Sequence, residues 1–174
     1  LDRRKGFDKC LQIVNGLKKK NLAVNLQVGG IFTDENYRKE CESYIQQYGL
    51  ESNIKFNGYI EHEHKIKLIN SCGVFLLLSQ GEGVSMSLLE TMKAGLAPIA
   101  SDIDTNRELF VDSGLDLFSL EDVDQMIEKI RLYHKSPEVL KKDQNKARQI
   151  VKPFTIENHI DGCVRAIEQT LCLN

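Results

Sequence analysis

Residues 74–101 read VFLLLSQGEGVSMSLLETMKAGLAPIAS, and the order of residue types in this stretch decides the fold. Residues 74–78 are a continuous apolar run of strand length, the pattern of a parallel strand covered on both faces. Residues 80–86, with Gly81 and Gly83, predict a loop. Residues 87–94 have helical composition, with Leu88, Leu89 and Met92 toward one face, and Gly95 is placed to end the helix. Residues 97–100 predict the next buried strand. The unit is strand, loop, helix, strand, and its glycine-containing loop falls at the carboxyl end of the first strand, where open α/β sheets bind ligands.

Outward from this unit, strands and helices alternate. Toward the N-terminus, Phe7, Cys10, Leu11, Val14 and Leu17 follow the helical period, and Lys5-Gly6 precedes them. Val24, Leu26 and Val28 alternate as a strand that ends in Gly29-Gly30. Thr33 predicts the cap of a helix through Tyr48, with Gly49 ending it. A short strand at 54–56 and a turn at 57–60 follow, and a polar helix start at EHEHK leads through Ile66, Ile69 and Cys72 into the central strand. Beyond Ser101 the pattern predicts a short helix from Asp104 or Thr105, a strand at 115–118, and an amphipathic helix at 120–133. A helix opened by Pro137 and a final helix at 156–171 complete it. The expected architecture is α/β: a Rossmann-like three-layer domain with a mostly parallel sheet of about five or six strands.

The 174 residues, 41% hydrophobic and 28% charged, suit one domain with a substantial core. A net charge of -2 gives no electrostatic case for nucleic acid. The five cysteines, Cys10, Cys41, Cys72, Cys163 and Cys172, form no C-x-x-C pair and read as buried thiols of a cytosolic protein. His62 and His64 do not share a helix face, so no metal site is predicted. No run approaches the length of a membrane span.

The stretch GEGVSMSLLETMKAGLAPIAS resembles the signature of the retaining "glycosyl transferases group 1" family, also called family four. That signature has two glutamates with seven residues between them, then a helix ending in Gly and a Pro-containing strand, here Glu82, Glu90, Gly95 and Pro98. The resemblance implies the C-terminal, donor-binding half of a two-domain GT-B glycosyltransferase. Residues 1–174 would form that nucleotide-sugar-binding domain, with 153–174 as the helix crossing back to an N-terminal acceptor domain absent from this chain. The chain starts at Leu1, without Met and within a motif, so the phosphate-binding arginine of the family is expected before it; Arg3 and Arg4 lie too close to Lys5 to be assumed to replace it.

Site residues follow from the same resemblance. Glu82 would hold sugar hydroxyls and Lys5 the diphosphate, as the catalytic pair. Glu90 would hold ribose hydroxyls, and the backbone of Gly83, Val84, Ser85 and Met86 would meet phosphate at a helix N-terminus. Gly58, Tyr59 and Ile60 would lie beside the base, and Gly29 near the ligand. Relatives carry Phe-Gly-Leu-Pro where this chain has Val84, Ser85, Met86 and Ser87, which implies a different backbone approach to the donor.

Structural alternatives stand beside these roles. Ser87-x-x-Glu90 fits a capping box, Glu82 fits a solvated loop acid, Lys5 a solvated lysine, Gly29 a plain turn, and Glu108, which matches a family glutamate, a helix-surface residue. The implied reaction is retaining transfer of a hexose-type sugar to a saccharide or lipid-linked acceptor. Its donor would be a UDP-sugar in preference to a GDP-sugar, with no cofactor or metal. The implied protein is cytoplasmic, with peripheral membrane association open to the full-length enzyme. Rival readings are a GT-B-type epimerase or phosphorylase and a non-catalytic Rossmann-like interaction module. A dinucleotide-dependent oxidoreductase is disfavoured because no G-x-G-x-x-G follows the first strand.

Overall fold

The computed structural model describes residues 1–155 and residue 158. The predicted final helix at 156–171, with Cys163 and Cys172, lies outside the described residues.

The elements alternate as the residue patterns require. A 3-10 turn at Arg3–Lys5 leads into α1 (Phe7–Lys19), followed by β1 (Leu26–Val28), α2 (Glu35–Tyr48), β2 (Ile54–Phe56) and α3 (His62–Asn70). Then come β3 (Val74–Leu77), α4 (Met86–Ala94), β4 (Ala97–Ser101), α5 (Asp104–Phe110), β5 (Leu117–Phe118), α6 (Val123–Lys135) and α7 (Pro137–Val151). Every strand pairing is parallel, β1 with β2 and β4 with both β3 and β5.

The two faces of the β3 and β4 strands are buried in different places, which makes the domain three-layered. Val74, Leu76, Leu78, Ala97 and Ile99 pack with α1, α2 and α6, around Leu11, Val14, Tyr37 and Met126. The alternate residues Phe75, Leu77 and Ala100 pack with Leu88 and Met92 of α4, Phe110 of α5 and Ala147 and Val151 of α7. Because side chains alternate along a strand, a run with no polar break places apolar groups on both faces.

The expected single sheet is instead two hydrogen-bonded ladders, in the orders β1-β2 and β3-β4-β5. Among the described residues no strand lies between β1 and β3 to join them. Residues at the start of the chain occupy the carboxyl ends of both: Thr33 N donates to Leu1 O at 3.1 Å, and Gln80 N to Arg4 O at 2.8 Å. Strand order thus runs one way from β1 and the other way from β3, and Lys5 enters at that reversal. Such a switch point leaves a crevice at the carboxyl ends of the strands.

Several boundaries shift for local reasons. The first strand begins at Leu26 because Asn53 Nδ2 takes the Val24 carbonyl at 2.9 Å, removing it from the ladder. Asp34, not Thr33, caps α2, its carboxylate accepting from the backbone N–H groups of Asn36 and Tyr37. Asp122 likewise caps α6, through Gln125 N, so that helix starts at Val123. The last strand keeps only Leu117–Phe118, since Leu115 N donates to Ser113 Oγ in the preceding turn. α7 does begin at Pro137, whose ring fixes φ and whose missing N–H costs nothing there.

Candidate active site

Lys5 reaches the crevice because Gly6 permits an abrupt turn into α1. Gly6 has φ +63°, and a Cβ there would stand 2.0 Å from the Leu78 carbonyl oxygen. That close approach packs the start of α1 onto the end of β3. It brings Lys5 Nζ to 2.7 Å from Glu82 Oε1, across 77 residues of sequence.

Glu82 is held from two sides. Its Oε1 accepts from Lys5 and also from Ser79 Oγ at 2.5 Å, and its side chain is only 13% exposed. Thr105 Oγ1 on α5 donates to the Glu82 carbonyl at 3.4 Å. Among the described residues nothing is bonded to Oε2, the oxygen left to accept from a ligand. Burial acts to raise the carboxyl pKa, but the hydrogen bonds from Lys5 and Ser79 outweigh it, and the pKa falls below the ordinary 4.5. The solvated-acid reading of Glu82 therefore does not describe it. Since the pKa of the folded state is the lower one, Glu82 contributes stability that is fully present above pH 4.5 and lost as pH falls through its own pKa. An NMR titration of the Glu82 carboxyl carbon should give a midpoint below 4.5, and a midpoint at or above that value would show the pair is not formed.

Glu90 lies in the second turn of α4, and its Oε2 accepts from Lys65 Nζ on α3 at 2.8 Å. The capping-box alternative is corrected by the helix start. Ser85 is the N-cap, accepting from Leu88 N at 3.4 Å, so Ser87 is already helical and Glu90 is beyond the first turn. Ser85 sits in an ordinary extended conformation (φ -75°), which explains how this chain does without the family's second glycine. A Cβ on Gly83 would meet nothing within 4 Å, and Val84 and Met86 are 69% and 63% exposed. Among the described residues no hydrogen bond runs from the amides of Gly83, Val84, Ser85 or Met86.

The predicted base-side residues sit in the loop after β2. Gly58 has φ +63° and its carbonyl accepts from Gly30 N at 2.7 Å, tying that loop to the one after β1. A Cβ on Gly29 would fall 2.7 Å from Ile60 Cδ1, the tip of a side chain that can turn aside. Tyr59 is 85% exposed. An open groove joins Tyr59 and Ile60 to His64 and Leu68, which share one face of α3, and to Ser71 at its C-cap; Lys65, the partner of Glu90, is outside its lining.

Arg3 pairs with Glu40 at 2.6 Å and lies over the Tyr37 ring. Glu108 is exposed on α5, the helix-surface placement. Lys65, Ser79 and Thr105 were not singled out by the sequence. No periodic or motif signal marks a lysine that will face a glutamate 25 residues away on another helix. Among the described residues no three His, Cys, Asp or Glu side chains gather as a metal-ligating group, and no helix is long and apolar enough to cross a membrane.

The structure defines a Rossmann-like α/β domain, and comparison with known proteins supplies its family. Residues 1–150 match the family model "Glycosyl transferases group 1", and the chain belongs to that family. It is 28% identical over 110 residues to the GDP-mannose:cellobiosyl-diphosphopolyprenol alpha-mannosyltransferase of Xanthomonas oryzae, covering 63% of this chain. It is 26% identical over 121 residues to the putative colanic acid biosynthesis glycosyltransferase WcaL of Salmonella typhimurium, covering 66%. In each case the match spans 29% of the relative's length. Anabaena HepE, solved in complex with UDP-glucose, superposes with a TM-score of 0.81 at 19% identity, over 95% of this chain and 46% of HepE.

Proposed function

We propose that this chain is the C-terminal, donor-binding half of a retaining GT-B glycosyltransferase. It binds a nucleotide sugar for transfer of a hexose-type unit to a saccharide or lipid-linked acceptor in polysaccharide or glycoconjugate synthesis. The observation that carries the reading is the Lys5–Glu82 pair at the switch-point crevice, an ammonium and a carboxylate 2.7 Å apart, each with a different part of a donor to meet. Lys5 and the free loop amides face the diphosphate, the Glu82 carboxylate faces sugar hydroxyls, and Glu90 faces the ribose.

In the reaction the bond from the anomeric carbon to the diphosphate oxygen breaks, and an acceptor hydroxyl bonds to that carbon and gives up its proton. Negative charge grows on the departing diphosphate, so donors positioned there lower the barrier. The acceptor and the residues that handle it belong to the N-terminal domain of the whole enzyme, and this chain alone binds donor without appreciable transfer. A UDP-sugar is the first candidate, HepE having been solved with UDP-glucose. GDP is the competing base, from the mannosyltransferase relative. The whole protein is cytoplasmic, at the inner membrane face when its acceptor is lipid-linked, and needs no cofactor besides its donor substrate.

A thermal-shift panel of UDP, GDP, ADP and NADH tests the reading. A nucleotide at a hundred times its dissociation constant stabilises by about 2.7 kcal/mol, a rise of about 5–11 °C for a domain of this size. Glu90→Ala should weaken that nucleotide about tenfold and so roughly halve the rise. A rise with NADH alone would replace the transferase reading by the oxidoreductase one, and a flat panel would leave the non-catalytic module.

A further inference from the structure

Glu82 is the end of a buried line of hydrogen bonds that begins on α5. Asn106 Nδ2 donates to the Ser101 carbonyl at 2.8 Å, Ser101 Oγ to the Ser79 carbonyl at 2.7 Å, and Ser79 Oγ to Glu82 Oε1 at 2.5 Å. The three side chains are 2%, 0% and 1% exposed. Burying a polar group costs free energy unless it is hydrogen-bonded, and here each one is satisfied by the next member of the line.

The two groups that hold Glu82 differ in what they can fix. Lys5 sits on a flexible four-carbon stem and its side chain is 42% exposed, so it neutralises the carboxylate without defining its direction. Ser79 has one rotatable bond to its hydroxyl and lies buried just beyond the end of β3, where its own carbonyl is held by Ser101. Both donate to Oε1, which leaves Oε2 aimed out of the line.

We propose that Ser79 is the positioning residue of Glu82, clamped by Ser101 and Asn106, and that it orients the free carboxylate oxygen toward the donor's sugar before the donor arrives. The inference rests on the nucleotide-sugar reading above. Orientation fixed in advance by buried groups spares the ligand the cost of ordering its own site. It also separates the two halves of the donor, because a free nucleoside diphosphate lacks the transferred hexose whose hydroxyls Glu82 would hold.

Calorimetric titration of this chain with a nucleoside diphosphate and with the matching nucleotide sugar, UDP and UDP-glucose first, then GDP and GDP-mannose, separates the two. Ser79→Ala should weaken the nucleotide sugar about tenfold and the free diphosphate less than about twofold. Ser79→Thr, which keeps the hydroxyl, should recover most of the loss. In the ligand-free chain the Glu82 pKa should rise in Ser79→Ala. That readout stands whether or not a nucleotide binds, so failure of the donor reading, no binding by the unaltered chain, is distinct from failure of this one. An unchanged ratio of the two affinities in Ser79→Ala, or an unmoved Glu82 titration, would overturn the positioning role.

Discussion

Gly6→Ala is expected to lower the melting temperature of this chain by about 6–12 °C, from a loss of about 3 kcal/mol. Two costs add. A left-handed backbone disfavours an alanine by about 1–2 kcal/mol, and Gly6 has φ +63°. The new Cβ would also fall 2.0 Å from the Leu78 carbonyl oxygen, a backbone atom that cannot swing aside as a side-chain tip can. The opposing gain, a less flexible unfolded chain, is only about 0.4–1 kcal/mol and does not offset them. Gly83→Ala is the control, since its Cβ would meet nothing within 4 Å and its φ is not in the left-handed region. Calorimetric melting of both variants checks the contrast, and equal melting temperatures would show that α1 does not pack on β3 through Gly6.

Lys5→Ala is expected to weaken binding of the nucleoside diphosphate about a hundredfold. A charge-assisted hydrogen bond to phosphate contributes about 1.5–3 kcal/mol, and removing Lys5 also leaves the Glu82 charge uncompensated beside the diphosphate. The two causes separate in a double-mutant cycle with Glu82→Gln. If Lys5 touches phosphate, Lys5→Ala still weakens binding strongly in the Glu82→Gln background. If Lys5 only neutralises Glu82, its effect there disappears, and the phosphate role is wrong. Titration calorimetry on the four proteins measures the cycle.

Much of the architecture was legible because burial on two faces has a plain residue signature. Residues 74–78 carry no polar side chain, and the structure divides them between two separate clusters, as a doubly covered strand requires. Gly49 and Gly95 end their helices in the left-handed conformation, as expected of glycines that follow an apolar periodic run. Cap identity was less legible. Thr33 and Asp34, or Ser85 and Ser87, all carry a side-chain oxygen that can accept from the N–H groups of a helix start, and which one caps depends on the path of the incoming chain.

Among site residues, Glu82, Glu90, Lys5 and Gly58 were named through the family resemblance, and Gly29 also by its place at a strand end. The spacing of the two glutamates could not tell what each would touch. Ser87-x-x-Glu90 matched a capping box on sequence alone, and only the helix start at Met86 removed it. Gly29 stays balanced between a turn and a ligand contact, since its near neighbour is only the tip of the Ile60 side chain.

The sequence by itself determined the βαβ unit, the parallel pairing it implies and the carboxyl-end loop that carries Glu82, because these depend on residues within one local stretch. Tertiary structure alone decided that the strands form two ladders and that Lys5 meets Glu82. It also decided that Lys65 meets Glu90 and that Ser79 rests on Ser101 and Asn106. Those contacts join residues distant in the chain, and a side-chain pair formed by the packing of separate elements leaves no periodic trace in the sequence of either one.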